Sequence, residues 1–128
     1  MDRALDNCFK IHLDYNEVFI DYDDTIILEK TFYNTDAVKF MCQCKNKGIK
    51  LSLLSRHNGD LNAELKKLAL NSFFVRVIHI SPAEKKSSYI DNLRAIFIDD
   101  SFAERLEVRE KCKIPVFAPD LFSALINS

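Results

Sequence analysis

Five short apolar runs punctuate the chain, at Val18 to Tyr22, Ile49 to Leu54, Phe73 to Ile80, Ala95 to Ile98 and Ile114 to Phe117. Runs of this length, bounded by polar residues, predict buried strands of a parallel sheet. Helical spacing fills most intervals between them. Thr35 to Lys47 carries apolar Ala37, Val38, Phe40, Met41 and Cys44, with Asn34 or Thr35 as N-cap and Gly48 as the stop. Asp60 to Leu70 repeats the pattern through Leu61, Leu65, Leu68 and Ala69. Ser81-Pro82-Ala83-Glu84 places Ser at an N-cap, Pro at N1 and Glu at N3, which predicts a helix running to about Leu93. Further helices are expected from Ser101 to about Lys111 and from Pro119 to about Ile126. Thr25 to Tyr33 is short and β-rich, as in a small hairpin. Residues 2 to 15 fit a helix through Leu5, Cys8, Phe9 and His12 or a strand through Ile11 and Leu13, and both stay open. The alternation implies right-handed crossovers and a three-layer α/β/α sandwich with a parallel sheet of about five strands, ordered 3-2-1-4-5.

Three of the runs end in reactive groups. The first closes on Asp21, Asp23, Asp24 and Thr25, the second on Ser55 and the fourth on Asp99-Asp100. In open parallel sheets the ligand site lies beyond the carboxyl ends of the strands, and the order 3-2-1-4-5 brings these three tips to one crevice. Close carboxylates repel one another unless a cation sits among them, and an oxygen-only donor set suggests Mg²⁺. Each group has a plainer use. Strand-tip Asp and Ser residues often cap the next turn, and a Lys85-Lys86 pair is usually a solvated face. Their joint occurrence at neighbouring tips favours chemistry.

Asp21-Tyr22-Asp23-Asp24-Thr25 resembles the Asp-x-Asp-x-Thr motif of the haloacid dehalogenase (HAD) superfamily. Leu51-Ser52-Leu53-Leu54-Ser55 is similar to its second motif, Lys86 to the lysine of its third with Lys85 as competitor, and Ile96-Phe97-Ile98-Asp99-Asp100 to its fourth. The continuation Ser101-Phe102-Ala103-Glu104-Arg105 resembles FkbH-like members. The resemblance implies a HAD-like Rossmannoid domain and phosphatase chemistry. Asp21 would be the nucleophile that forms an aspartyl-phosphate, and Asp23 the general acid and then base. Asp21, the Asp23 carbonyl and Asp99 would hold Mg²⁺, with Asp100 orienting Lys86 or a metal-bound water. Ser55 and Lys86 would bind the phosphoryl oxygens, and Thr25 would fix the loop. Asp24 departs from the family pattern, where Gly or Asn is frequent, and an added carboxylate there can raise neighbouring pKa values or bind a second cation. With Arg56, His57 and Asn58 it is a candidate substrate contact. No interval is long enough for a cap domain. An open site suits a larger phosphorylated partner, or a small phosphorylated substrate enclosed by a neighbouring subunit of a homo-oligomer. A sugar phosphate or related biosynthetic intermediate is the leading substrate class, by analogy.

Composition narrows the alternatives. The 128 residues fit one domain, and 48 % hydrophobic with 29 % charged residues is an ordinary globular balance. A net charge of -1 argues against a nucleic-acid partner. The N-terminus lacks the uninterrupted apolar core of a signal peptide, and no later run spans a bilayer, so no membrane association and a cytoplasmic location are expected. Cys8, Cys42, Cys44 and Cys112 lack the paired spacing of zinc sites and read as reduced, packed thiols. His12 and His79 read as structural. A response-regulator receiver would need its phosphoacceptor on the third strand and a lysine after the fifth, and neither is present. The remaining rival is a catalytically weak or inactive HAD-fold binding module.

Overall fold

A computed structural model describes residues 14–126. The open helix-or-strand choice for residues 2 to 15, with Cys8 and His12, therefore falls almost entirely outside the described residues. The central sheet is built from β1 (Glu17–Ile20), β4 (Lys50–Ser55), β5 (Arg76–His79), β6 (Ala95–Ile98) and β7 (Val116–Phe117), all parallel, in the order β5-β4-β1-β6-β7. The predicted hairpin is β2 (Ile27–Leu28) with β3 (Phe32–Tyr33), antiparallel and outside this sheet. Counted among the five sheet strands alone, the order is 3-2-1-4-5. Strand β1 is central, with Val18 beside Leu51 on one side and Ile96 on the other.

Side chains alternate across the sheet. One face sends Val18, Ile20, Leu51, Leu53, Ile96 and Ile98 into a core shared with α1 (Thr35–Asn46), α2 (Leu61–Lys67) and α4 (Phe122–Leu125). Phe40 and Phe122 meet there with ring centroids 5.5 Å apart. The other face sends Phe19, Leu54 and Phe97 towards Val108 of α3 (Phe102–Cys112). Polar caps set the helix starts: Asn34, Asp60 and Ser101 each accept from a backbone N–H three residues on.

The helix expected from Ser81 to Leu93 does not form. Only a single 3₁₀ turn, Lys86–Tyr89, lies between β5 and β6. Glu84 does accept from the Ser81 N–H at 2.9 Å, so the start signal is real but local. Tertiary bonds then take the chain away from helix geometry. Ser87 donates its hydroxyl to Glu107 of α3 at 2.6 Å, and Lys86 turns into the sheet. Where the helix would have continued, Arg76 pairs with Asp91 at 3.1 Å and with buried Glu17 at 3.0 Å, and Glu17 also accepts from Ser52 at 2.6 Å and Asn92 at 3.1 Å. A polar network thus covers the lower part of this face. The last predicted helix is likewise a 3₁₀ turn, Pro119–Leu121, leading into the short α4.

The hairpin turn is strained. Thr31 N–H donates to the Leu28 carbonyl at 3.0 Å, and both central residues, Glu29 and Lys30, have positive φ. Such turns favour Asn and Gly, because a side chain in this region costs about 1–2 kcal/mol. Glu29→Gly is expected to stabilise the protein by about 0.5–1 kcal/mol, read as a higher urea midpoint at unchanged slope. A lower midpoint would show that the turn carries no strain.

Candidate active site

The carboxyl ends of β1, β4 and β6 meet, as parallel pairing in register requires, and the side chains that follow them line a cleft of about 230 Å³. Asp21, Asp23, Asp24, Ser55, Arg56, Lys86, Asp99 and Asp100 all face it. At its floor, Lys86 donates to Asp21 at 3.1 Å and to Asp99 at 2.6 Å. Lys86 is 2 % exposed, Asp99 1 % and Asp21 7 %, whereas Lys85 is exposed. The structure therefore separates the two lysines that sequence left in competition. Carboxylate oxygens of Asp21, Asp99 and Asp100 lie within 4.8 Å of one another. Asp100 thus joins the metal-competent group directly, while the Asp23 carboxylate turns away to His57.

Burial governs the ionisation here. It raises the Asp21 pKa, with the neighbouring Asp99 carboxylate adding to the effect and Lys86 opposing it, to about 8. Burial raises Asp99 as well, again against Lys86. For Lys86, burial works to lower the pKa, but Asp21 and Asp99 together outweigh it, so the ammonium is held. One cation facing two buried carboxylates leaves charge unbalanced. A divalent ion fits this donor set, which is all oxygen and short of positive charge.

This has a pH consequence. A folded-state pKa raised above its unfolded value means that the native protein retains a proton the unfolded chain has lost, so apo stability falls as pH rises from the ordinary carboxylate range to about 8. Cation binding requires the ionised form. The thermal upshift from Mg²⁺ over EDTA is therefore expected to be larger at about pH 8 than at about pH 6, and to shrink strongly in Asp99→Asn. Equal upshifts at both pH values would contradict the proton linkage.

The other predicted residues divide into contacts and supports. Ser55 is buried and its hydroxyl accepts from the His57 N–H at 3.0 Å, leaving its own proton available to the cleft. Arg56 is committed elsewhere. Its guanidinium grips Glu104 at 2.6 and 3.3 Å and donates to the carbonyls of Ser81 and Pro82, which makes it a brace between β4, α3 and the loop leading to Lys86. His57 Nδ1 lies 2.8 Å from Asp23, and a carboxylate acceptor places the proton on that nitrogen. The His57 ring packs edge-on against Tyr22, with centroids 5.2 Å apart. Asn58 is exposed at the rim.

Asp24 sits in the left-handed region, φ 57°, and accepts from the Glu29 N–H at 3.2 Å. Backbone geometry accounts for a position where small or turn-forming residues are favoured, and Asp is among those that adopt it. The main influences on Asp21 are burial, Asp99 and Lys86, so the extra carboxylate at Asp24 is not what raises its neighbour. Thr25 holds the loop through its carbonyl, which accepts from Asn34 at 3.0 Å; its hydroxyl is buried and unbonded. His79 donates its Nε2–H to the His57 carbonyl, a structural use.

Glu104 is a site residue that the motif reading passed over. Its signal was the Ser101-x-x-Glu104 spacing of a capping box. The Ser101 hydroxyl does accept from the Glu104 N–H at 3.3 Å, but the Ser101 N–H goes to Asp99 at 2.9 Å, which leaves the Glu104 carboxylate for Arg56. Among the described residues no helix is long and apolar enough to cross a membrane. Cys42 is exposed and Cys44 buried, so the pair points apart.

Comparison with solved structures places the fold. A HAD-superfamily hydrolase from Ehrlichia chaffeensis superposes with a TM-score of 0.63 at 14 % identity, covering 91 % of this chain and all of that one. The chain has a HAD-like fold. The N-terminal part of a Bacteroides fragilis protein, which contains a phosphatase domain and is complexed with Mg, matches this HAD-like domain with a TM-score of 0.57 at 19 % identity, over 91 % of this chain and 37 % of that one. An uncharacterised protein from Corynebacterium glutamicum matches with a TM-score of 0.62 at 14 % identity, over 80 % and 83 % of the two chains. No protein-family model and no curated protein matches the sequence.

Proposed function

We propose that this HAD-like domain is a Mg²⁺-dependent phosphohydrolase that cleaves a small phosphomonoester, with a sugar phosphate or related biosynthetic intermediate as the leading class. One observation carries the proposal: Asp21, Ser55, Lys86 and Asp99, from separate stretches of chain, line one cleft, with Lys86 paired to both buried carboxylates. Asp21, Asp99 and Asp100, with the Asp23 carbonyl, would hold Mg²⁺, which supplies positive charge against the carboxylates and the incoming phosphate.

The chain's own groups then divide the work. Asp21 attacks phosphorus, the ester bond breaks, and the departing alkoxide takes a proton from the Asp23 carboxyl, carried on the oxygen that does not bond to His57, leaving an aspartyl-phosphate. Asp23 next removes a proton from water, whose oxygen attacks the same phosphorus, so that inorganic phosphate leaves and the Asp21 carboxylate returns. Ser55 and Lys86 donate to the phosphoryl oxygens throughout; a single lost donor of this kind typically costs about a hundredfold or more in rate. Arg56 and Glu104 act by holding the Lys86 loop against β4.

Hydrolysis of p-nitrophenyl phosphate with and without Mg²⁺, by the wild type and Asp21→Asn at matched folding, tests the proposal. Metal-dependent turnover lost in the variant supports it. A wild type that binds no Mg²⁺ and turns over no phosphomonoester would instead leave a binding module.

A further inference from the structure

Beside the phosphate cleft lies a second hollow of about 350 Å³, between the β2–β3 hairpin and the loop after β4. We infer that this hollow seats the alcohol released in the reaction, and that it takes a small, hydroxyl-rich group that carries no negative charge. The inference rests on the phosphohydrolase proposal and adds the part of the substrate that the phosphate site does not read.

Position is the first reason. Asp23 and Asp24 line both the cleft and the hollow. A group that protonates a leaving oxygen must stand between phosphorus and the departing alcohol. With phosphate on the Asp21 side of Asp23, the alcohol lies on the other side, in the hollow. His57, which also lines it, holds the Asp23 carboxylate at that boundary.

Size is the second. The volume is at the small end of the roughly 300–1,000 Å³ typical of small-molecule sites. It suits a metabolite rather than a folded partner, and the hairpin supplies a wall that a separate cap would otherwise provide.

Charge and hydrogen bonding select the class. Asp23, Asp24 and Glu64 face the hollow against one ammonium, Lys30, and the His57 proton is engaged by Asp23. An alcohol bearing a carboxylate or second phosphate meets net negative charge. Hydroxyls satisfy both kinds of group, donating to Asp24 and Glu64 and accepting from Lys30 and Asn58. Among the described residues neither Lys30 nor Asn58 has a side-chain hydrogen bond or ion pair of its own, whereas Arg56, Arg76 and Lys86 are all paired. The backbone at Lys30 is also held in the unfavourable left-handed region. Strain at a residue that lines a site is a familiar mark of function over stability.

The test uses the full chain carrying Asp21→Asn, with Mg²⁺, and follows backbone amide shifts by NMR as three probes are added: a pentose monophosphate, phosphoglycolate and inorganic phosphate. The pentose phosphate is expected to move the amides of Lys30, Asn58 and Glu64, which inorganic phosphate leaves in place, and to bind roughly tenfold tighter than phosphoglycolate. Adding Lys30→Gly should relieve strain yet weaken pentose phosphate binding by roughly fivefold, with inorganic phosphate unaffected; Glu29→Gly should relieve strain and leave both affinities unchanged. Pentose phosphate shifts confined to those seen with inorganic phosphate, equal binding of phosphoglycolate, or equal effects of the two glycine variants would each overturn the inference. Binding in the hollow without turnover by the wild type would instead overturn the phosphohydrolase proposal and leave the hollow's preference standing.

Discussion

Asp21→Asn is expected to lower p-nitrophenyl phosphate turnover by roughly 10³-fold or more while the protein stays folded. The amide keeps the shape of the carboxylate and still accepts from Lys86, so the cleft floor is preserved. It cannot form the proposed acyl phosphate. The change also removes one of two buried acids whose ionisation is opposed by burial. Thermal stability without metal at about pH 8 should therefore be no lower than wild type, and the usual ambiguity between a dead site and a damaged fold does not arise. Turnover within tenfold of wild type would remove Asp21 from the nucleophile's role.

Lys86→Ala should be the most destabilising single change at the site, costing about 3–5 kcal/mol, because it strands two buried carboxylates without their counter-charge. The loss should deepen as pH rises, since at lower pH Asp21 and Asp99 can take up protons instead. Mg²⁺ should restore part of the stability by supplying the missing charge, but not the turnover, since the proposed phosphoryl donor is gone. Lys85→Ala removes an exposed side chain and should fall within about 0.5 kcal/mol of wild type. Urea unfolding of the two variants, with EDTA and with Mg²⁺, reads all of this. Matching losses in both would mean that the buried ion-pair triad does not carry the stability assigned to it.

Strands and site were legible in the sequence for the same reason. A run such as Phe19-Ile20 followed by Asp21, or Phe97-Ile98 followed by Asp99, has only one comfortable setting, an apolar stretch inside a sheet with its polar end at the ligand edge. Parallel order then brings the ends together without further information. What stayed hidden was decided by contacts between distant residues. Ser81 and Glu84 do cap a turn, but nothing local reveals that Ser87 will bond to Glu107 or that Lys86 will be drawn to Asp99. Arg56 looked free for substrate because its partner Glu104 is 48 positions away. The His57 to Asp23 contact was hidden in the same way. Asp24 was a departure from a motif until its positive φ made it a turn residue.

The central place of β1 has a further consequence, for the order in which a chain emerging from the ribosome can assemble. Its two partners, β4 and β6, both lie well downstream, and the second begins only at Ala95. Until then a nascent chain can pair β5, β4 and β1 but must leave one side of β1 open, a row of unpaired backbone groups flanked by Val18 and Ile20. Until β6 is made, that apolar edge invites pairing with another chain, and the strand that covers it is also the one that delivers Asp99. Completion of the candidate site and protection from aggregation would therefore arrive in one step, when β6 joins the sheet.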